Sequence, residues 1–485
     1  MSAIGTSPSP TEARLTSAGL AVLLSGVFLA VMNTFIVNIA LPSIQREFAA
    51  TPADLSAIVA FYGLAYGLML ISGGRLGDLH GRRRMFVLGL AGFTTSALAC
   101  GLATSAAMLI VARIGEGLAA AILFPQILAV IRVASGDGGS RRRAFAAFGV
   151  ALGLSGIAGP LIGGALMAAD PLGLGWRSVF LINVPIGLAA CLGAVRFLPE
   201  TRAEHALRLD IGGALFCALG LGLLLYPLIV GRYAGWPAWT IVSMMAGVAA
   251  LVLFARDQRG KAHRRAATLI DPSLFETPAF ASGAAIAFLL HSTIVAFLFA
   301  LAVFLQNGLG YSPWQAALAT APIPAAFLVT SLLAGRFLAE NRSFAAMRLG
   351  AILVIVGYGA TAAVAMMHAA VDGWTFTPAF LIVGVGQGLF LPPLLNAVLA
   401  GVSREQAGSA SGVVATCQQV GGAFGVAVVG ITSFGVPSLP DPAHAFAWSL
   451  TYEIGAIMLA FCLLGTMFGR TIRVGLRRRP SREGS

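Results

Sequence analysis

The sequence predicts an all-α membrane protein, and three observations carry that prediction. Hydrophobic residues fill 58% of the 485 positions and charged residues only 10%, and mean hydropathy is +0.88. A soluble core cannot hide that much apolar surface, so the bilayer is the solvent. The apolar residues also fall in runs long enough to cross roughly 30 Å of hydrocarbon at about 1.5 Å per residue. Third, the arginines are segregated. Clusters at 82–84, 141–143, 256–265 and 470–482 lie on one side, while the opposite connections carry Arg46, Arg177 and Arg232. By the positive-inside rule this places both termini in the cytoplasm and requires an even number of spans. The net charge of +12 therefore reports orientation and contact with anionic lipid, and excludes a nucleic-acid partner.

The apolar runs resolve into fourteen spans, near 17–41, 55–73, 85–104, 106–131, 144–168, 178–197, 211–230, 239–255, 279–305, 315–336, 348–368, 376–400, 409–433 and 446–469. Five segments follow. Residues 1–16, rich in Ser, Thr and Pro, form a disordered cytoplasmic tail, and 17–197 form a first six-helix bundle. Residues 198–278 form a two-helix insert with flanking cytoplasmic loops, 279–469 a second six-helix bundle, and 470–485 a basic cytoplasmic tail. The first span is too long for a signal-peptide core and lacks a small-residue cleavage site, so it is retained. Cys100, Cys191, Cys217, Cys417 and Cys462 are scattered inside spans and read as packing residues, with no disulfide framework and no metal spacing.

Taken in order, the spans carry the following chemistry. Span 1 contains Met32-Asn33-Thr34-Phe35-Ile36-Val37-Asn38-Ile39-Ala40-Leu41-Pro42, with an amide at mid-depth. Between spans 2 and 3 lies a loop, Gly74-Arg75-Leu76-Gly77-Asp78-Leu79-His80-Gly81-Arg82-Arg83-Arg84. Gly74 and Gly81 allow a tight reversal that a Cβ would resist. Asp78 can accept hydrogen bonds from Arg82, Arg83 or a helix end. Arginines alone would serve to set topology, but the Gly and Asp spacing would then have no purpose. Span 4 contains Arg113 and Glu116, three residues apart and so on one helical face. Counted from Ala106, Glu116 lies about 15 Å deep, near the bilayer midplane, where an ionisable group by default marks a pathway or proton relay. Two readings stand: a carboxylate that titrates, with burial working against its charge and Arg113 for it, or a permanent buried ion pair.

Span 5 reads Gly153-Leu154-Ser155-Gly156-Ile157-Ala158-Gly159-Pro160-Leu161-Ile162-Gly163-Gly164. Its glycines admit close helix approach, and Pro160 removes a backbone donor and bends the helix. Trp176 and Arg177, which open span 6, suit the membrane interface as anchors. Leu209-Asp210-Ile211-Gly212-Gly213 starts span 7. In the second half, Gly408 to Gly425 of span 13 echoes span 5, and Gly335-Arg336-Phe337-Leu338-Ala339-Glu340 is a degenerate counterpart of the 74–84 loop, a faint internal symmetry that suits a membrane protein assembled from repeats. A broad apolar cavity with a few polar points would draw on Asn33, Tyr62, Tyr66, Gln126, His291, Gln387, Asn396 and Glu453. Tyr62 and Tyr66, one turn apart, suit a flat or cationic molecule. For each of these residues, helix-to-helix hydrogen bonding is the competing role.

These stretches resemble the major facilitator superfamily, whose signature loop lies between its second and third helices. Arg113-Ile114-Gly115-Glu116-Gly117 is similar to that family's Arg-x-x-Gln-Gly motif, and the span 5 stretch to the antiporter motif of its drug exporters. Six, two and six spans resemble the fourteen-span drug:proton antiporter branch (EmrB/QacA-like). The resemblance implies two six-helix bundles with a two-helix insert, rocking to give alternating access. It further implies a gate at Gly74, Asp78, Gly81, Arg82, Arg83, Gly159 and Pro160. Two positions depart from the family: Asn33 stands where Asp is usual, and Glu116 where Gln is usual. The titratable carboxylate is thus read as having moved from span 1 to span 4, making Glu116 with Arg113 the proton-coupling pair.

The expected function is proton-coupled export of amphipathic, drug-like or antibiotic-like compounds across the inner membrane. The alternatives are a specific exporter or importer of one metabolite, and a transport-inactive membrane receptor. Its partners are then the small-molecule substrate, protons and the lipid bilayer; any periplasmic adaptor is unknown. No enzyme signature is present, no cofactor is implied, and no Gly-Lys-Ser/Thr nucleotide loop occurs. Energy must then come from an ion gradient, where one proton crossing 100 mV releases about 2.3 kcal/mol.

Overall fold

The computed structural model describes residues 15–135, 138–202, 209–264, 266–337, 342–367, 373–403, 406–433 and 441–477. Fourteen helices among them are long and apolar enough to cross a membrane. They are α1 (Ser17–Phe48), α2 (Pro52–His80), α3 (Arg82–Gly101), α4 (Ala106–Ala134) and α5 (Gly138–Ala169). Next come α6 (Ser178–Leu181 continued by Asn183–Phe197), α7 (Ile211–Val230), α8 (Ala238–His263) and α9 (Pro278–Val303). The last five are α10 (Pro313–Thr320 continued by Pro322–Phe337), α11 (Ser343–Ala365), α12 (Thr377–Ala400), α13 (Ala407–Ser433) and α14 (Pro442–Arg477). No strand occurs among the described residues.

The sequence explains where the helices begin. Thr51 and Asp54 cap each other's backbone at the start of α2, with Pro52 in the first turn where a missing N–H costs nothing. Ser105 caps α4 through the Met108 N–H at 3.2 Å, and Ser312 with Gln315 repeats the reciprocal cap before α10.

Three expectations need correction at the helix ends. The segment 74–84 is not a loop: α2 runs to His80, α3 starts at Arg82, and the reversal rests on Gly81 alone, at φ +103°. Gly74 is helical and makes no turn; glycine is needed only where φ is positive or the backbone is crowded. The amino-terminal tail is shorter than read: Thr16 caps α1 through the Gly19 N–H at 3.0 Å, and Leu15 donates to the Ala134 carbonyl at 2.8 Å. Likewise α14 continues to Arg477 instead of stopping near 469, because arginine is a good helix former once past the hydrocarbon. The rest of both tails, 1–14 and 478–485, lies outside the described residues, as do 338–340 of the degenerate motif.

Helices α1 to α6 pack on one another as one bundle and α9 to α14 as another. The even span count puts the start of α1 and the end of α14 on one face, here the termini face. At the opposite, far face the bundles join. Gln306, in a π-helical turn that ends α9, donates to the Ile39 carbonyl at 3.1 Å, and Asn307 donates to Gln45 at 3.1 Å. Deeper, Thr416 of α13 donates to the Gly67 carbonyl of α2 at 2.9 Å.

The insert helices α7 and α8 pair with each other, and α7 lies against both α2 and α13. At the far face Arg232 and Tyr233 donate to the carbonyls of Ile431 and Gly430 on α13. On the α2 side, Phe61 stacks on Tyr226 at 6.4 Å, and Tyr226 lies 6.1 Å from Trp239. At the termini face the insert is tied by Asp210. It accepts from the Gly213 N–H at 2.9 Å, Gln258 at 2.7 Å, Lys261 at 2.9 Å and the Leu269 N–H at 3.2 Å.

Burial works to raise the Asp210 carboxyl, but the bonds from Lys261, Gln258 and Gly213 outweigh it and hold it below the ordinary carboxylate range. A carboxyl depressed on folding contributes stability above its unfolded value, about 3.9, and loses it as pH falls through the lower folded value. Thermal unfolding followed against pH should therefore show a shallower loss below about pH 4 in Asp210→Asn than in wild type. Parallel acid limbs would refute this role for Asp210.

Candidate functional site

One turn of α4 places Arg113 above Glu116, and the two side chains pair through Nη1 and Oε2 at 2.8 Å, both completely buried. The pair lies within the first bundle. Arg113 Nε donates to the Ile58 carbonyl of α2 at 3.2 Å, and its guanidinium sits 4.1 Å above the Tyr62 ring. Phe180 of α6 is 6.0 Å from the same guanidinium. On the other side the Cys100 thiol of α3 approaches Glu116 Oε2 at 3.7 Å. Asn33 of α1 is completely buried and its amide faces the Glu116 carboxylate, near enough to act on it as a donor but short of full hydrogen-bond geometry. Glu116 Oε1 and Arg113 Nη2 also lack a partner. Five helices thus converge on an ion pair with spare donors and acceptors around it. Such a half-satisfied buried network is costly unless it serves a second arrangement.

The structure brings Asn33, Arg113, Glu116 and Tyr62 together. It gives Tyr62 a different occupation from the one read in the sequence: its ring face is taken by Arg113 and its hydroxyl donates to the Ala30 carbonyl at 2.9 Å. With 1% of its surface exposed, it offers no face to a ligand in this conformation. Tyr66 is likewise buried, edge-on to Phe124 at 6.1 Å. Gln126 ties α4 to α2 through the Gly73 carbonyl at 2.8 Å, the helix-bonding role. Gln387 is buried in α12, Asn396 is exposed, and His291 is half-buried beside Gly422 of α13. Glu453 is buried inside the second bundle, close enough to Tyr358 of α11 to interact electrostatically, with both oxygens unpartnered.

At the termini face, Asp78 pairs with Arg82 at 2.7 Å. The Arg82 N–H donates to the Thr201 carbonyl at 2.9 Å, the Arg83 N–H to Glu200 at 3.0 Å, and Arg83 Nη1 to the Leu198 carbonyl at 3.4 Å. The α2–α3 turn is thus bound to the exit of α6, inside its own bundle. Glu200 fills the space over Gly81 so closely that a Cβ there would lie 2.7 Å from its oxygen. In α5, Gly159 meets the Met32 carbonyl of α1 at 3.0 Å from a built Cβ, while Gly164 faces Ala317 of α10 at 2.6 Å. One helix therefore touches its own bundle and the other one, and it runs unbroken through Pro160.

Sequence reasoning missed Cys100, the Ile58 carbonyl and Glu200. Only Glu200 left a signal, a carboxylate three residues past the end of α6 and close in sequence to Arg202. It also missed Glu47, which accepts from Trp176 at 2.6 Å and Arg177 at 2.9 Å and so completes the interfacial anchor of α6.

The sequence profile of the Major Facilitator Superfamily matches residues 23–216 and 211–426. A probable actinorhodin transporter of Streptomyces coelicolor is 36% identical over 439 residues, covering 89% of this chain and 75% of its own. A cephamycin export protein, CmcT, of Amycolatopsis lactamdurans is 35% identical over 442 residues, covering 90% and 89%. Among solved structures, a bacterial homolog of the human lysosomal transporter Spinster, inward-facing and occupied, superposes with a TM-score of 0.66 at 16% identity. That match covers 99% of this chain and 100% of the other, and speaks to the fold.

Proposed function

The chain belongs to the major facilitator superfamily, and on that premise we propose that it is a proton-coupled exporter of amphipathic, antibiotic-like compounds. The observation that carries the proton-coupled reading is the buried Arg113–Glu116 pair with Asn33 beside it. Both termini and the arginine-rich face lie in the cytoplasm, and the chain spans the inner membrane. A proton taken up by Glu116 from the far side neutralises the carboxylate and frees Arg113 from its counter-ion. Arg113 is not stranded, because the Ile58 carbonyl and the Tyr62 face still hold it. It is nonetheless a buried cation without an anion, and that cost is relieved when the α1–α4 packing rearranges. Asn33, with both amide atoms free, can accept from the neutral acid or donate to the anion, so it serves either state. The bundles rock about the α5–α10 and α2–α13 seams, with Asp78 and its arginines gating the cytoplasmic side. Export of one natural product is the narrower reading, favoured because both relatives above are named for a single antibiotic or antibiotic class.

Inverted vesicles energised by acidification test the proposal. A cationic dye should trigger proton release with wild type and none with Glu116→Gln. The variant should still fold, since the Gln carbonyl can accept from Arg113. Equal release in both would remove Glu116 from the coupling step.

A further inference from the structure

We infer that the cytoplasmic mouth of the α3–α6 seam is a binding site for one anionic diacyl phospholipid, held by its headgroup phosphate. A cavity of about 500 Å³ opens there, rimmed by His80, Arg83, Arg84 and Arg202 and floored by residues that include Leu88 and Val195. The rim is electrically unbalanced. Its three arginines face one carboxylate among the described residues, Glu200, which stands 3.8 Å from Arg83 Nε and 3.9 Å from Arg84 Nε. Glu200 is already engaged by the backbone N–H groups of Arg83 at 3.0 Å and Thr201 at 3.2 Å. Among the described residues, three guanidinium charges less one carboxylate leave two positive charges uncompensated, before any contribution from His80. Arg84 keeps 71% of its side chain exposed and makes no hydrogen bond among the described residues beyond its 3.9 Å approach to Glu200, so its donors can turn inward.

The floor is apolar and faces outward. Leu88 is 61% and Val195 64% exposed, and the strip continues along α6 through Leu192 at 75% and Leu188 at 56%. Leu88 lies six residues past Arg82, about 9 Å deeper into the membrane at 1.5 Å per residue. A cationic rim at the membrane surface above an apolar channel that runs down between two lipid-facing helices fits a phosphate with acyl chains beneath it. A free phosphate would gain nothing from that floor. The occupant is therefore a phospholipid of the cytoplasmic leaflet, where anionic headgroups meet basic side chains. It would bear on the transport cycle directly, because the Arg83 backbone closes the Gly81 turn and a bound phosphate competes with Glu200 for Arg83 and Arg84.

The test uses the full chain purified from nanodiscs of phosphatidylglycerol and phosphatidylcholine, with retained lipid counted by native mass spectrometry. Wild type should keep one phosphatidylglycerol in preference to phosphatidylcholine. The double variant Arg84→Gln, Arg202→Gln should bind it roughly thirtyfold more weakly, at about 1 kcal/mol per arginine. Both side chains are exposed and away from the buried pair, and an unchanged melting temperature in detergent will establish that the variant is folded. Equal retention by wild type and variant would overturn the inference. So would displacement of the lipid by millimolar inorganic phosphate, which would mark a free-anion site. Because the readout is binding, it stands apart from the dye experiment: a transporter with no coupling at Glu116 could still retain the lipid.

Discussion

Arg113→Leu is expected to destabilise the protein by about 3–5 kcal/mol, the range for breaking a buried pair by removing one partner. The substitution leaves Glu116 completely buried with only neutral groups facing it, the Cys100 thiol at 3.7 Å and the Asn33 amide. It also strips the Tyr62 ring and the Ile58 carbonyl of their contacts. Removing both charges together, as Arg113→Met with Glu116→Leu, should recover most of the loss, because no uncompensated ion then remains in the bundle. Thermal or denaturant unfolding of wild type, Arg113→Leu and the double variant in detergent compares the two losses directly. A double variant no more stable than Arg113→Leu would mean that the cost lies in packing around the guanidinium and not in its charge.

The second large effect comes from two neighbouring glycines with opposite expectations. A Cβ on Gly73 would fall 2.1 Å from the Ala121 carbonyl oxygen and 3.1 Å from the Ile122 Cα, all backbone of α4. Gly73→Ala must push α2 and α4 apart and break the bond from Gln126 to the Gly73 carbonyl. A loss of about 1–3 kcal/mol is the usual cost of such overpacking. Gly74→Ala meets only Pro125 Cβ at 3.5 Å, ordinary contact, and should leave melting temperature and yield unchanged. Equal behaviour of the two variants would show that the α2–α4 contact is looser than described.

That pair of glycines also shows what the sequence can and cannot reveal. Hydropathy marks helices crossing a membrane, and the fourteen runs correspond to the fourteen helices because each must satisfy its own backbone in lipid. Three-residue spacing likewise brings Arg113 and Glu116 together, since they belong to one helix. Asn33 joins them because depth in the bilayer can be counted from a helix end. Everything that depends on how helices turn towards each other was hidden. Gly74 looked like a turn residue, yet Gly73 and Gly77 carry the close approach, Gly77 lying 1.8 Å from the Gln126 oxygen in Cβ terms. Tyr62 and Tyr66 read as an open aromatic platform, and only the rotation of α2 against α4 reveals that a guanidinium already occupies it. The partnership of Glu200 with the α2–α3 turn spans 117 positions, beyond the reach of any local pattern.

The two added helices are fastened unequally at the far face. Against α13 they are held by Arg232 and Tyr233 bonding to main-chain carbonyls, and hydrogen bonds tolerate little misalignment. Against α2 they rest on the stacked rings of Phe61 and Tyr226, which accept a range of offsets. A relative rotation of the two halves is thus cheaper along the aromatic side than along the carbonyl side. At that end a rotation of the halves would carry the insert with the second bundle, with the α2 surface beneath Tyr226 as the slip plane. A pair of helices seated across the seam can then widen the protein in the lipid without locking the halves together.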